Sequence, residues 1–398
     1  MLRVPVILLG LMGLSACSDD QEPENRHRIT FEVRPYATEF VQEEEDNNAR
    51  PVGTMGATRA WEVDDIPSGY YLYNDDHVFG LFEGQMDLFY KSIDVFFTRD
   101  DNAPLHGVFS YKKSEEKWKL DMDIPETGDY YIYGYIPKEV VNSATITGNS
   151  NFSDGAVLTI NGIKSVTYSD ICVIVGAKDG LSNSNDNGLT TGQFKVNAKQ
   201  VQIGVDPAEG HSNYIYLLFD HLYSALAFNF TIDAAYNNLR TIKVRKLELI
   251  GYLNAQETKI PARYNVEVRL KSNTTEASPI ESVTFTADPT SGNLAFEPIY
   301  EGVGVTLDPV TETPFMGCFV PGQNTYFKLR TTYDVYDKEN NLIREGCEAE
   351  NKINLNSIFT TVGSLRGQMF QITMKVVPTY LYMLSEPDVD NPTLKIVN

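Results

Sequence analysis

The sequence predicts an all-β protein of two tandem β-sandwich domains with short helical turns. Three observations carry this. Short apolar and aromatic runs recur from residue 61 onward, and Pro, Gly, Asp and Asn stand between them. Tyr (23) and Phe (20) are abundant, with 28 Gly and 19 Pro available for turns. The chain contains no long amphipathic helix and no internal repeat of the roughly 20–50-residue kind that marks solenoids. Its 398 residues suit two or three domains of ~100–200 residues each. With 42% hydrophobic and 22% charged residues, a buried core is attainable and wholesale disorder is excluded. The net charge of −21 repels a phosphate backbone, so nucleic acid is excluded as a partner.

The N-terminus reads as an address. Residues 1–16 place one charge, Arg3, before an apolar run that ends in small residues. This is a secretory signal, too short to cross a bilayer as a mature helix. Leu14, Ser15, Ala16 and Cys17 resemble the bacterial lipoprotein cleavage box, which implies cleavage before Cys17 and lipidation of its sulfur and amine. The acidic stretch from Ser18 to Glu24 resembles the surface-export signal of Bacteroidetes lipoproteins; a solvated tether would look the same. Residues 28–34 alternate strictly, with Ile29, Phe31 and Val33 on one face, as a half-buried strand does. An acidic run, Glu43 to Asp46, and a small-residue stretch, Gly53 to Ala60, then form an exposed, cleavable loop.

Candidate strands follow at 70–73, 77–82, 93–98, 106–111, 118–122, 130–136, 156–160, 171–176 and 194–203. Residues 179–192 form a long polar loop without the acidic spacing of an EF-hand. The polar stretch 206–213 marks a junction, near residue 205, between the two sandwiches. A second series runs through 214–219, 225–232, 241–251, 264–270, 282–286, 326–336 and 370–377. Helical candidates are short: 220–225, and 355–362 with Asn354 as N-cap.

No catalytic constellation emerges. GxSxG, HExxH, a Walker loop and GxGxxG before a helix are all missing. The five His (His27, His77, His106, His211, His221) are never three to five residues apart, no CxxC occurs, and no His adjoins a Cys in sequence. Neither a metal nor a cofactor is therefore expected. Cys172 lies in an apolar run and should be buried. Cys318 and Cys347 can pair in an oxidising compartment, and free core thiols fit equally well. The tyrosines at 70–73 and 130–135 suit either a sugar-stacking face or sheet packing, and period-two aromatics favour packing.

Four features together resemble the fimbrillins, the pilus subunits of Bacteroidales. They are the lipobox with its acidic tail; an alternating strand followed by Ala57-Thr58-Arg59-Ala60, similar to the family's Arg-processing site; the run from Phe219 to Phe230, where a short turn leads into a strand; and the tail from Val377 to Leu394. The resemblance implies transthyretin-like sandwiches at 60–205 and 206–378, behind a signal peptide at 1–16 and a lipidated leader at 17–59. It also implies a C-terminal donor extension at 379–398. The implied function is that of a structural subunit of a cell-surface fimbrium serving adhesion, not an enzyme. Its precursor is an outer-membrane lipoprotein, held by its lipid before processing.

The implied partners are other fimbrial subunits and an Arg-specific surface protease that cuts between Arg59 and Ala60. Arg50 precedes Pro51, a bond most proteases resist, and Arg28 and Arg34 lie in the proposed strand. Ile29, Phe31 and Val33 are expected to fill a groove in the first sandwich, at about 1.5–3 kcal/mol per buried side chain. Tyr380, Tyr382, Leu384, Leu394 and Ile396 are the expected inward residues of the donor strand. Two other readings stay open on the residues alone: a surface lipoprotein that binds glycans through exposed aromatics, and a surface glycosidase with paired carboxylates.

Overall fold

The computed structural model describes residues 27–33, 60–63, 92–112, 117–122, 124–180, 191–198, 214–273, 279–356, 366–367 and 369–376. Among these the protein is nearly all β, as expected, and its strands form four sheets that pack as two sandwiches. In the first sandwich one sheet has the order β2 (Ala60–Val63), β12 (Tyr214–His221), β10 (Cys172–Gly180), β6 (Gly128–Ile136), β3 (Ile93–Arg99), β4 (Asn102–Lys112), β5 (Lys117–Leu120), with β11 (Lys195–Ala198) also on β6. It packs on a sheet of β16 (Ile280–Ala287), β15 (Arg263–Lys271), β8 (Gly155–Lys164) and β7 (Ser143–Gly148).

The second sandwich has a sheet ordered β1 (His27–Val33), β21 (Met369–Val376), β13 (Ser224–Ile232), β18 (Thr313–Phe319), β9 (Val166–Thr167). Against it lies β17 (Glu297–Thr306), β14 (Thr241–Tyr252), β19 (Tyr326–Tyr336), β20 (Leu342–Asn354). In the orders given, the two layers run in opposite senses: β17 lies against β18 and β9, which sets β20 toward the β21–β1 edge.

Period-two patterning explains these layers. In β15 the buried residues Tyr264, Val266, Val268 and Leu270 alternate with Arg263, Asn265, Glu267 and Arg269. In β20, Cys347, Ala349, Asn351 and Ile353 turn inward while Glu348 and Lys352 face out. Strand β13 is buried on both faces. Leu226, Phe228 and Phe230 join the second core, while Ala225 and Ala227 join the first. Small residues on that second face let the two sandwiches share a wall.

The junction expected near residue 205 is not a single crossing. Strand β12 completes the first sandwich, β15 returns to it by pairing with β8 and carries β16 on its other side, and β9 extends the second. Strands β2, β7, β9, β17, β18 and β20 had no counterpart among the sequence candidates. Residues 220–225 were expected to be helical; instead β12 ends at His221 and β13 begins at Ser224. The β-branched and aromatic residues around that turn gain more from sheet pairing than a two-turn helix could give. The short helix lies later, at α1 (Ala234–Asn237), where Asp233 Oδ1 accepts hydrogen bonds from the backbone N–H of Ala235 (2.9 Å) and Tyr236 (3.1 Å). Asn354 ends β20, and its Oδ1 accepts from the Asn356 N–H at 3.1 Å; residues 357–362 of the expected second helix lie outside the described residues.

One close approach yields a direct test. Gly134 in β6 pairs with Val95 of β3, and a Cβ at this position would overlap the Asp94 carbonyl oxygen and lie 3.0 Å from Val95 Cα. Backbone cannot yield as a flexible side chain can. Gly134→Ala is expected to lower stability by about 3 kcal/mol, read as a fall in the urea midpoint at unchanged m-value. An unchanged midpoint would show that the β3–β6 spacing relaxes at no cost.

Candidate functional site

The edge of the five-stranded sheet is the most distinctive backbone feature. Strand β21 runs parallel to β13 on one side and parallel to β1 on the other. Parallel neighbours that are so distant in sequence, at residues 27–33 and 369–376, cannot arise from a hairpin. The register sets Ile29 beside Ile372, Phe31 beside Met374 and Val33 beside Val376. Ile372, Met374 and Val376 are the positions that β21 turns into the second core. The alternation read in the leader is thus in phase with that of the strand it joins.

The leader strand was expected in a groove of the first sandwich; its backbone instead pairs in the second. Alternation fixes which face of a strand is apolar and carries no information on which sheet receives it. Ala60 is the first residue of β2, whose partners are Leu217 and Leu218 of β12 at the edge of the first sandwich. The leader and the strand after the expected cut therefore belong to different sandwiches. Cys17, Arg59, Tyr380, Tyr382, Leu384, Leu394 and Ile396 lie outside the described residues.

A second constellation sits where the chain passes from β12 to β13. Asp170, Cys172 and His221 are all buried, and their ligand-type atoms lie within 4.8 Å of one another. His221 Nδ1 is hydrogen-bonded to Asp170 Oδ2, and the Cys172 thiol donates to the same oxygen at 3.2 Å. Arg366 reaches the outside of this turn, donating to the His221 carbonyl at 2.7 Å and pairing with Asp220 Oδ2 at 2.6 Å. Tyr223, also buried, donates its hydroxyl to the Lys164 carbonyl at 2.7 Å. Sequence reading missed this cluster. His221 and Asp170 are 51 residues apart, and only the β10–β12 register, which sets Cys172 opposite His221, unites them.

The cluster is unsuited to nucleophilic chemistry. Burial pushes the Cys172 thiol well above its ordinary pKa, and the neighbouring Asp170 carboxylate pushes it further. The same Nδ1 faces both thiol and carboxylate, whereas a triad needs the two ring nitrogens for two different partners. As a metal site it offers three donors that already bond one another. Among the described residues no fourth Cys, His, Asp or Glu completes the tetrahedron of a structural zinc. The arrangement locks the turn that links the two sandwiches.

The remaining candidates resolve plainly. Cys172, Cys318 and Cys347 are free and buried; Cys318 belongs to the first core and Cys347 to the second, so they do not pair. Tyr130, Tyr133 and Tyr135 are buried, which assigns them to packing rather than to a sugar platform. Burial raises the pKa of the Tyr133 and Tyr135 phenols. His106, on β4, is half-exposed, stacks on Phe96 and bonds Asp94 Oδ1 at 2.7 Å. The tyrosines at 70–73, His77, His211 and residues 181–190 lie outside the described residues.

No protein-family model matches the sequence, and no curated protein matches it. The structures it is similar to are fimbrial and adhesion proteins of Bacteroides. One is a candidate cell-adhesion protein from Bacteroides uniformis, at 12% identity and a TM-score of 0.33, covering 74% of this chain and 90% of the other. A fimbrial protein from Bacteroides vulgatus gives 13% identity and a TM-score of 0.26, covering 71% and 88%. A candidate adhesin from Bacteroides ovatus gives 10% and 0.25, covering 88% of each chain. With TM-scores this low, these likenesses carry no argument about function.

Proposed function

We propose that this chain is a structural subunit of a cell-surface fimbrium that serves adhesion. In this reading it is exported as an outer-membrane lipoprotein through Cys17. An Arg-specific protease then cuts between Arg59 and Ala60, and the subunits polymerise by exchange of strands. The observation that carries the reading is the place of β1. It is a short strand at a sheet edge, and residues 34–59 between it and β2 have the polar, small-residue composition expected of a cleavable loop. Once the chain is cut, β1 is held by noncovalent contacts alone. Its departure leaves β21 with a row of unpaired backbone groups, which is a template for a strand of another copy. A 20-residue C-terminal extension, 379–398, supplies that strand in this reading.

The test is the N-terminal residue of the protein recovered from the cell surface. Ala60 is expected on assembled material and a lipidated Cys17 on the precursor. Arg59→Ala is expected to yield a lipidated monomer with no filaments by electron microscopy. Filaments built from that variant would sink the processing step.

A further inference from the structure

Asn351 stands out among the buried polar residues of the second sandwich. It lies on β20 at an inward position between Ala349 and Ile353, it is fully buried, and neither its Nδ2 nor its Oδ1 has a hydrogen-bond partner. Thr331 Oγ1, on the adjacent strand β19, is likewise buried without a partner. Two unmet polar side chains on one inner face are costly in a core that could have held Leu and Val.

The sheet geometry shows what Asn351 faces. At one end of β19, Phe327 packs on Phe319 with ring centroids 5.0 Å apart, and Phe319 lies 6.4 Å from Phe370 of β21. Toward the other end, Thr331 and Tyr333 border a small cavity with Val376 of β21. Leu329, between these ends, is therefore level with Ile372 and Met374 in the middle of β21. Asn351 is the register partner of Leu329 one strand further out, and positions 29 and 31 of β1 are the partners of Ile372 and Met374. Because β17 lies against β18 and β9 at one end of the two layers, β20 at the other end lies toward the edge formed by β21 and β1.

We infer that Asn351 is a specificity-determining residue of this slot, set to hydrogen-bond a tyrosine hydroxyl on the strand that replaces β1. This rests on the strand-exchange reading above and adds to it a reason for the exchange to run one way. The leader positions in phase with the core are Ile29, Phe31 and Val33, none of which carries a hydrogen-bonding side-chain atom. The donor segment of a second copy presents Tyr380, Tyr382 and Leu384 at alternate positions. A phenol can donate to Oδ1 and accept from Nδ2, and a buried phenol needs such a partner as much as the amide does. The leader leaves Asn351 unmet, and the donor satisfies it.

The test uses the full chain after Arg-specific cleavage, with synthetic peptides of residues 379–398 as probes. The wild-type peptide is expected to bind about tenfold more tightly than one carrying Tyr380→Phe and Tyr382→Phe. That preference should vanish on a protein carrying Asn351→Leu, with Asn351→Val as the smaller second variant. In the uncut precursor, Asn351→Leu should not lower the urea midpoint, since a leucine removes an unmet amide. Equal binding of both peptides to the wild-type protein would overturn the inference and leave strand exchange standing. A preference that survives Asn351→Leu, or a clear fall in precursor stability, would also overturn it. If neither peptide binds the cleaved wild-type protein, strand exchange itself fails and the inference with it.

Discussion

Removal of residues 379–398 is expected to abolish self-assembly while leaving a chain that folds, reaches the surface and is cut after Arg59. The described strands end with β21 at Val376, and the described core residues of both sandwiches all precede residue 377. Global stability should therefore stay close to that of the full chain. What is lost, in the strand-exchange reading, is the segment that a neighbour would accept. The segment has the required composition: Tyr380 to Leu384 is apolar and β-prone, Pro387 and Pro392 bracket a polar hinge, and Leu394 and Ile396 alternate again. A truncated subunit can still accept a strand but cannot donate one. Mixed with full-length protein, it should cap growing filaments and shorten them in proportion to its share. The measurements are filament length by electron microscopy and the ladder on a denaturing gel. Normal filaments from the truncated chain alone, or its complete unfolding, would end the donor reading.

Asp170→Ala should be the most damaging single substitution at the β12–β13 turn, lowering stability by about 3–5 kcal/mol. The Asp170 carboxylate accepts from His221 Nδ1 and from the Cys172 thiol, so its removal strands two buried groups at once. Cys172→Ala leaves the Asp170–His221 pair in place and should lose only about 1 kcal/mol, mostly from lost packing. Urea unfolding of the two variants separates the cases. Should Asp170→Ala unfold within about 1 kcal/mol of the parent, the pair contributes nothing beyond the volume it fills. Because the turn joins the two sandwiches, loss of a single cooperative transition in this variant would show that the cluster couples them.

Both predictions depend on features that were unequally legible in the sequence. Short apolar and aromatic runs between turn residues were enough to place β3, β6, β15 and β19, and in β15 and β19 they carry the period-two alternation that is a local consequence of the pleat. Alternation also set the phase of Ile29, Phe31 and Val33, which the register with Ile372, Met374 and Val376 matches. Burial of Cys172 and of the tyrosines at 130, 133 and 135 followed from the same patterning. Strand β20 was not read: Cys347, Ala349, Asn351 and Ile353 alternate with Glu348, Glu350 and Lys352, but these small and polar inward residues hid it from a search for apolar runs.

Strand partners were not legible. Pairing is a long-range choice made by register and shape, and a strand's own residues specify its apolar face but not its neighbour. Only the tertiary structure decided that β1 joins β21 in the second sandwich, that β15 crosses back to β8, and that β9 forms the far edge of the sheet that β1 joins. The same holds for the union of Asp170, Cys172 and His221, which the β10–β12 register brings together from positions 51 residues apart. By itself the sequence determined the class of fold and the apolar face of most strands, because each depends on residues within one strand. The tertiary structure decided which edges meet, because that depends on burying those faces together with the fewest unmet polar groups.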